Sequence, residues 1–172
     1  MEQVYFERVN ELKKNKAELE QRLNVKITLE GKKAIIEGES VDEYEAVRVL
    51  EAIAFGFSAK KAIILTNENF RFQIINIKHF TRRKDMEDVR ARVIGTEGKT
   101  KRTIETITGC SVMVKENQAA ILGPVDSIED AVTAIGNIAK GTKQANVYRF
   151  LERMNAARRE KSDLGLKPEK ED

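Results

Sequence analysis

Apolar and polar residues alternate in two pairs of short stretches along the chain. The first pair is VKITLE at 25–30 and AIIEG at 34–38, and the second is CSVMVK at 110–115 and AAILG at 119–123. Apolar residues at every second position predict strands with one buried face. Because only a few polar residues separate the members of each pair, the pattern predicts two hairpins, each ending at a glycine.

An internal repeat relates the two hairpins. A shift of 85 positions aligns residues 25–56 with residues 110–141 without a gap. After each hairpin the apolar residues change to helical spacing, which predicts an amphipathic helix at about 41–55 and at about 127–140. The chain therefore contains two copies of one small domain. The identical pairs include Ala34/Ala119, Ile36/Ile121, Gly38/Gly123, Ala46/Ala131, Val47/Val132, Ile53/Ile138 and Gly56/Gly141.

The two copies are predicted to differ upstream of their hairpins. In the second copy, RFQIINIKHF at 71–80 predicts a strand, and two helical segments follow it. In the first copy the same shift starts inside a helix, so we expect no equivalent first strand. The apolar residues there form one helical stripe, which predicts a continuous helix. The stripe consists of Tyr5, Val9, Leu12, Leu19 and Leu23.

Two glycines interrupt the helical pattern of the second copy, in RVIGTEGKTKRTIETITG at 92–109. In a helix interior each glycine costs roughly 1 kcal/mol relative to alanine. The sequence therefore predicts that one helix ends at Ile94 and that a second one starts near Lys99, with a glycine turn (residues 95–98) between them. The aligned residues of the first copy, 10–13, include no glycine, so no such turn is predicted there.

The glycine turn is predicted to resemble an anion site. The start of a helix carries a partial positive charge and N–H groups without intrahelical partners. Lys99, Lys101 and Arg102 follow the turn directly. This combination suits a phosphodiester backbone, but a Gly-x-x-Gly turn also serves as a plain connection between two helices. The turn alone leaves both interpretations open.

The position of the charge says more than its total. The chain has 31 basic and 28 acidic residues, a formal net charge of +3 and a pI near 8.9. Between Arg82 and Arg102, eight Lys or Arg residues stand against four Asp or Glu residues. This stretch alone accounts for the net positive charge, which favours a nucleic-acid partner near the glycine turn.

Other chemistry has little support in the sequence. Cys110 is the single cysteine and lies in an apolar run, so we expect an inert core thiol, no disulfide and a reducing compartment. His79 is the single histidine, which argues against a metal site or a catalytic triad. We expect no enzyme activity, no cofactor and no catalytic or metal-binding residue. No apolar run approaches the ~20 residues of a membrane span, so we expect a soluble, cytoplasmic protein.

The second copy of the repeat resembles a known domain family. RVIGTEGKTKRTIE, the hairpin CSVMVKENQAAILG and the helix through IEDAVTAIGNIAKG are similar to a type I KH domain. The resemblance implies an α+β fold with two tandem type I KH domains (βααββα), of which the first is degenerate, plus a C-terminal helix. The implied domains are 1–70, without the glycine turn, and 71–160, with the turn and the C-terminal helix. The polar tail at 161–172 is predicted to be disordered.

Two further stretches make the resemblance more specific. NVYRFLERMNAARRE after the second copy and AIAFGFSAKKAIIL between the copies resemble the pre-ribosomal tandem-KH proteins of the partner-of-Nob group. The resemblance implies a small-subunit biogenesis factor that binds single-stranded RNA from the 3′ region of the small-subunit rRNA and assists pre-rRNA processing. It also implies two protein partners, a Nob-type endonuclease and the alpha subunit of initiation factor 2. No eukaryote-type N-terminal extension is present, which predicts an archaeal source.

The resemblance also implies which residues contact RNA. In this family the Gly-x-x-Gly loop clamps about four nucleotides, and the bases lie in an apolar groove. Thr96 and Glu97 occupy the variable positions, and a basic residue is common at the first of them. The phosphate attraction therefore falls more heavily on the flanking cations. The predicted RNA-binding residues are Arg92, Ile94, Gly95, Thr96, Glu97, Gly98, Lys99, Lys101, Arg102 and Val112.

Two other functions compete with this one. A KH-fold protein adaptor, for example for initiation factor 2 alpha, would use the glycine-free first copy for protein contacts and bind RNA only weakly. An exosome cap subunit is a third possibility, but the chain has no room for the oligonucleotide-binding barrel of such proteins. Mutation of the glycine turn separates the RNA-binding biogenesis factor from the protein adaptor, because only RNA binding depends on the turn.

Overall fold

The computed structural model describes residues 1–164, and these form two compact units. The first unit is Met1–Gln73, and the second begins at Ile74. The sequence placed the boundary between residues 70 and 71, whereas the structure divides the chain three residues later, inside a strand. No helix within residues 1–164 is long and apolar enough to cross a membrane.

The first unit has a three-stranded antiparallel sheet with helices packed on it. The predicted hairpin is present, and Ile27 lies opposite Ile36 in it. The strand order is β1-β3-β2, so the second hairpin strand is central. The elements are β1 (Glu2–Tyr5), α1 (Asn10–Leu23), β2 (Lys26–Glu30), β3 (Lys33–Glu37), α2 (Ser40–Phe55) and α3 (Ala59–Ala62), followed by a 3₁₀ turn, Ile63–Thr66.

The prediction that the first copy lacks a first strand was wrong. β1 pairs with β3, with Val4 opposite Ala34, and Phe6 N extends the pairing by donating to Lys32 O at 2.8 Å. Val4 and Phe6 are buried while Tyr5 between them is exposed, which is the alternation of a strand. Tyr5 therefore belongs to a strand, and its helical spacing from the later apolar residues was a coincidence.

The first unit has a single helix upstream of its hairpin, as the unbroken apolar stripe predicted. Residues 6–9 connect β1 directly to α1, and no second helix lies between the first two strands. The order of the first unit is β-α-β-β-α, so the first copy is degenerate, as predicted, and has a single helix where the complete βααββα order has two. Val9 precedes α1 and already has backbone angles of the right-handed helical region, but its side chain makes no capping hydrogen bond.

The second unit has the complete predicted order of strands and helices. Its sheet order is β4-β6-β5, and the β5–β6 hairpin pairs Val112 with Ile121. Strand β4 is shorter than the predicted 71–80, because Asn76 accepts a hydrogen bond from Lys78 N and residues 77–80 turn into a 3₁₀ helix. The elements are β4 (Phe70–Asn76), α4 (Met86–Ile94), α5 (Lys99–Thr108), β5 (Ser111–Lys115), β6 (Gln118–Pro124), α6 (Ile128–Lys140) and α7 (Gln144–Asp163).

One apolar core joins the sheet and the helices of the second unit. Residues from every helix and strand of this unit take part, including Val93, Ile104, Ile121 and Ile135. Cys110 lies in the same core, as predicted, and burial raises the pKa of its thiol above the usual value. The thiol is therefore held in its protonated, unreactive form.

The predicted start of the disordered tail, residue 161, lies too early in the chain. Helix α7 continues to Asp163, so the first residues of the stretch 161–172 are helical. Val147 and Leu151 bury one face of α7, and Arg158 anchors it by hydrogen bonds to the Asp130 side chain and the Asp126 carbonyl. Residues 165–172 lie outside the described part of the chain.

Candidate nucleic-acid interface

The glycine turn is present where the sequence predicted it. Helix α4 ends at Ile94 and α5 begins at Lys99. Gly95 has φ 78° and ψ 170°, and Gly98 has φ 73° and ψ 16°, conformations that side chains disfavour. Gly95 N closes α4 by donating to Ala91 O at 2.8 Å, and Gly98 N donates to Gly95 O at 3.1 Å. The turn is a defined structure held by its own hydrogen bonds.

The two glycines of the turn face opposite directions. A Cβ atom built on Gly95 would overlap the Thr100 hydroxyl and lie 2.7 Å from the Thr100 backbone nitrogen. A Cβ atom on Gly98 would meet no heavy atom within 4 Å. Gly95 therefore allows the turn to pack on the start of α5, and Gly98 leaves bare backbone open to a ligand.

The residues between the glycines are exposed. Glu97 has φ 53° and ψ 28°, one of the few positive φ values outside glycine in the described residues. Such a conformation costs about 1 kcal/mol for a residue with a side chain. Backbone strain of this kind is often found at functional sites, because the surrounding structure enforces it there. Thr96 adds a hydroxyl group to the same open surface.

Helix α7 holds the glycine turn from behind. Thr100, only 2% exposed, lies under the turn and accepts a hydrogen bond from Gln144 Nε2 at 2.9 Å. Gln144 is the first residue of α7, 44 positions away in the chain. This contact links the turn to the C-terminal helix. No pattern in the sequence indicated the contact, since neither residue belongs to a periodic motif.

The cations beside the turn have different surroundings. Lys99 and Arg102 are exposed and line one shallow groove of about 310 Å³ together with Ile107 and Glu152. Arg92 lies on α4, and its guanidinium group is beside Gly141 at the end of α6. Lys99 and Arg102 are thus the two predicted cations that share the open groove along α5.

Lys101 has a structural partner. Its Nζ atom lies 3.4 Å from Glu105 Oε1, and the same oxygen accepts a hydrogen bond from Val112 N at 2.9 Å. The first unit repeats this arrangement at positions 85 residues earlier. There Lys16 lies 3.4 Å from Glu20, and Glu20 accepts from Ile27 N at 2.8 Å. Because the first unit has no glycine turn, the shared arrangement fastens a helix to an edge strand.

A pair of lysine variants tests this distinction. We expect Lys99→Gln to weaken the binding of single-stranded RNA roughly fivefold, because one phosphate contact is lost. Lys101→Gln is expected to change the affinity less than about twofold and to lower the melting temperature slightly, since it removes an i,i+4 ion pair. Fluorescence anisotropy with one labelled RNA and thermal unfolding measure both effects. A larger affinity loss in Lys101→Gln would contradict the structural role.

Of the two predicted apolar contacts, Ile94 and Val112, one is buried and the other is partly accessible. Val112 is 3% exposed and its side chain belongs to the core, which leaves little of that side chain for contact with a base. Ile104 is also fully buried. Ile94 is half-buried at the end of α4, and Ile107 is half-buried in the groove with Lys99. From the sequence alone, either face of an edge strand could be accessible to a ligand. The packing of helices on one face determines which of the two is buried.

The equivalent place in the first unit is filled. Helix α1 starts at Asn10, the position of Gly95 in the second copy, so helix replaces the turn. Leu12 is buried there, and Glu11 Oε1 accepts a hydrogen bond from Ala59 N at 3.0 Å. The absence of a glycine turn from the first copy is thus confirmed. The Leu12 side chain and the Glu11 carboxylate thus stand in the part of the first unit that corresponds to the open glycine turn of the second unit.

The strand and helix order of the second unit, with a Gly-x-x-Gly turn between its first two helices, defines a type I KH domain. A family model for the second KH domain of PNO1, described as a eukaryotic type KH-domain (KH-domain type I), matches residues 71–156. The chain belongs to this PNO1-type KH family.

Similar proteins are known from archaea. A KH domain-containing protein of Methanocaldococcus jannaschii is 32% identical over 111 residues, which are 64% of this chain and 49% of that protein. The chain spans about half the length of the curated relatives it matches.

Solved structures match most of the chain. Dim2p from Pyrococcus horikoshii has 34% identity and a TM-score of 0.80, and the match covers 88% of this chain and 98% of Dim2p. The Pyrococcus horikoshii complex of a/eIF2alpha, aDim2p and rRNA contains a chain with 32% identity and a TM-score of 0.82. That match covers 91% of this chain and 94% of the other.

Proposed function

We propose that this protein is an RNA-binding factor of small ribosomal subunit biogenesis. Its second unit clamps single-stranded RNA from the 3′ region of the small-subunit rRNA and so assists pre-rRNA processing. The observation that carries the proposal is the open face of Gly98, which has no heavy atom within 4 Å of its virtual Cβ atom and precedes the start of α5. A phosphate can approach bare backbone there.

Electrostatics and shape support this binding mode. The dipole of α5 favours an anion near the start of this helix, although the Lys99 N–H already donates to Thr96 O. Lys99 and Arg102 add full positive charges along the same helix. The half-buried Ile94 and Ile107 offer apolar surface for bases beside these charges. At such a site, contacts to the sugar-phosphate backbone position the strand, and contacts to the bases provide selectivity.

Relatives support the class of partner. The related Pyrococcus horikoshii aDim2p has been crystallised with rRNA and a/eIF2alpha. We propose rRNA and the alpha subunit of initiation factor 2 as partners of this protein too, and a Nob-type endonuclease as a third partner. The protein acts without catalysing a reaction in this proposal, by holding the RNA strand for another enzyme.

A protein adaptor is the second candidate, and the first unit favours it. Val41 and Tyr44 are exposed on one face of α2, with Tyr44 66% accessible. The Arg48 guanidinium lies 6.0 Å from the centre of the Tyr44 ring. Exposed aromatic and arginine side chains are typical of protein interfaces. In this alternative, the first unit binds initiation factor 2 alpha and RNA binding is secondary.

Binding to a labelled oligonucleotide from the 3′ end of small-subunit rRNA tests the leading proposal. For about four phosphate contacts we expect log K to fall with log salt at a slope of roughly −2 to −3. An RNA duplex of the same sequence should compete poorly, because the clamp takes a single strand. Crosslinking in native cells, followed by sequencing of the attached RNA, identifies the natural site.

The adaptor has a different signature. Tyr44→Ala should abolish binding to initiation factor 2 alpha and leave RNA affinity unchanged if the first unit is the protein-binding surface. A salt slope near zero with the single-stranded RNA, or preference for the duplex, would contradict the leading proposal.

A further inference from the structure

A basic pocket lies between the β4–α4 connection and the end of α6. Its volume is about 580 Å³. The Phe80 ring fixes its wall, since a Cβ atom on Gly136 of α6 would lie 2.6 Å from Phe80 Cδ1. The charged groups are therefore carried by a connection that packs tightly on the core helix. The lining residues are His79, Phe80, Thr81, Arg82, Arg83 and Lys140.

Two arginine side chains converge at the end of α6. A Cβ atom on Gly141, which has φ 108°, would lie 3.2 Å from Arg83 Nη2 and 3.5 Å from Arg92 Nη1. Two guanidinium groups thus approach one short stretch of bare backbone. The carbonyl groups that end α6 carry a partial negative charge, which favours cations there. Each guanidinium group has five N–H donors, and Arg83 is exposed while Arg92 is half-buried.

The carboxylate of Asp88 offsets only part of this positive charge. It lies 3.5 Å from Arg83 Nη1, and both side chains are about half exposed, so water screens the pair. Arg82 and Lys140 add two further cations to the pocket. Like charges gathered at one surface repel each other, and an anionic ligand relieves that repulsion.

A short, rigid path connects the pocket to the glycine turn. Gly141 is three residues before Gln144, so the connecting chain spans roughly 10 Å at most. Gln144 holds Thr100, and Thr100 supports Gly95. An RNA strand that leaves the turn therefore has a second group of cations within reach of its next phosphates.

The cations of this pocket have no clear counterparts in the first unit. That unit lacks a helix equivalent to α4, which carries Arg92. Phe55 stands at the position of Lys140 in the 85-residue alignment. These cations thus occur in the unit with the glycine turn and not in the unit without it, as expected if both features serve the same ligand.

We propose that this pocket is a second phosphate subsite. It binds the backbone of the same single-stranded RNA that the glycine turn clamps, through Arg83 and Lys140 of its lining and through Arg92, which meets Arg83 at Gly141. It extends the footprint beyond the nucleotides at the turn. The subsite rests on the proposed RNA-binding function. It contributes affinity and no base selectivity, because phosphates are the same in every sequence.

Two RNA lengths separate the subsite from the turn. We compare a four-nucleotide RNA with a twelve-nucleotide RNA that contains it, by fluorescence anisotropy across a salt series. Arg83→Gln is expected to weaken binding of the longer RNA roughly three- to tenfold and to make its salt slope shallower by about 0.7. The affinity for the short RNA should stay unchanged. Lys140→Gln, on the opposite wall of the pocket, should have the same effect.

Arg8→Gln is the matched control, since it makes the same charge change at an exposed position of the first unit. It should leave both RNAs unaffected. Equal losses for both lengths in Arg83→Gln, or no loss for either, would overturn the subsite. If the wild-type protein bound neither RNA, the proposed function itself would fail. If the wild-type protein bound both RNAs, and substitution of Gly98 weakened this binding while Arg83→Gln did not, the subsite alone would fail.

Discussion

Gly98→Asp is expected to reduce the affinity for single-stranded RNA roughly 100-fold or more, because a carboxylate then stands where a phosphate must approach. The structure gives this change room, since a Cβ atom at Gly98 would touch nothing within 4 Å. Asp also tolerates the positive φ of 73° better than most residues. The variant should therefore fold, and its defect should be confined to binding.

Gly98→Asn is the control that separates charge from shape. Asn has nearly the same size as Asp and the same tolerance of this backbone conformation. We expect it to lose about tenfold in affinity through obstruction of the backbone, with the remaining loss in Gly98→Asp due to electrostatic repulsion. The excess loss of the Asp variant should shrink as salt is raised. Melting temperatures of the two variants should agree within a few degrees.

Anisotropy titrations with one labelled RNA at low and high salt measure these differences. Wild-type affinity in a folded Gly98→Asp protein would rule out the glycine turn as the phosphate site. Equal affinities of the Asp and Asn variants at low salt would show that charge at this position is unimportant.

Local pattern predicted the second unit well because each of its elements carries its own signal. Alternation gave the hairpins, and the cost of glycine in a helix placed the ends of α4 and α5 at Ile94 and Lys99. The first strand was missed because β1 has only four residues. In so short a strand, one residue with helical spacing, Tyr5, outweighed the alternation of Val4 and Phe6.

The details of the site depended on contacts between distant parts of the chain. Val112 looked available to a base because it lies on an edge strand, but the helices pack on its face of the sheet. The Gln144–Thr100 hydrogen bond spans 44 positions and has no local signal.

The role of Lys101 could have been predicted. The 85-residue shift extends upstream to pair Lys16 with Lys101 and Glu20 with Glu105. A lysine kept in the copy without a glycine turn is better explained by structure than by RNA binding.

The opposite directions of the two glycines predict opposite consequences for alanine. Gly95→Ala should destabilise the second unit by about 3 kcal/mol or more, because its φ of 78° and ψ of 170° are essentially restricted to glycine. The new methyl group would also overlap the Thr100 hydroxyl and lie 2.7 Å from a backbone nitrogen. Gly98→Ala adds only the cost of a left-handed conformation, about 1 kcal/mol.

Thermal unfolding followed by circular dichroism compares these two single-methyl changes. For a unit of this size, 3 kcal/mol corresponds to a fall of about 15 °C in the melting temperature, against about 5 °C for Gly98→Ala. Hydrogen exchange should locate the damage of Gly95→Ala at the start of α5 and at Gln144, since the alanine displaces Thr100 from its hydrogen bond. Equal losses of stability in the two variants would mean that Gly95 does not pack on Thr100. The glycine turn would then lack the support from α7 that keeps Gly98 turned outward.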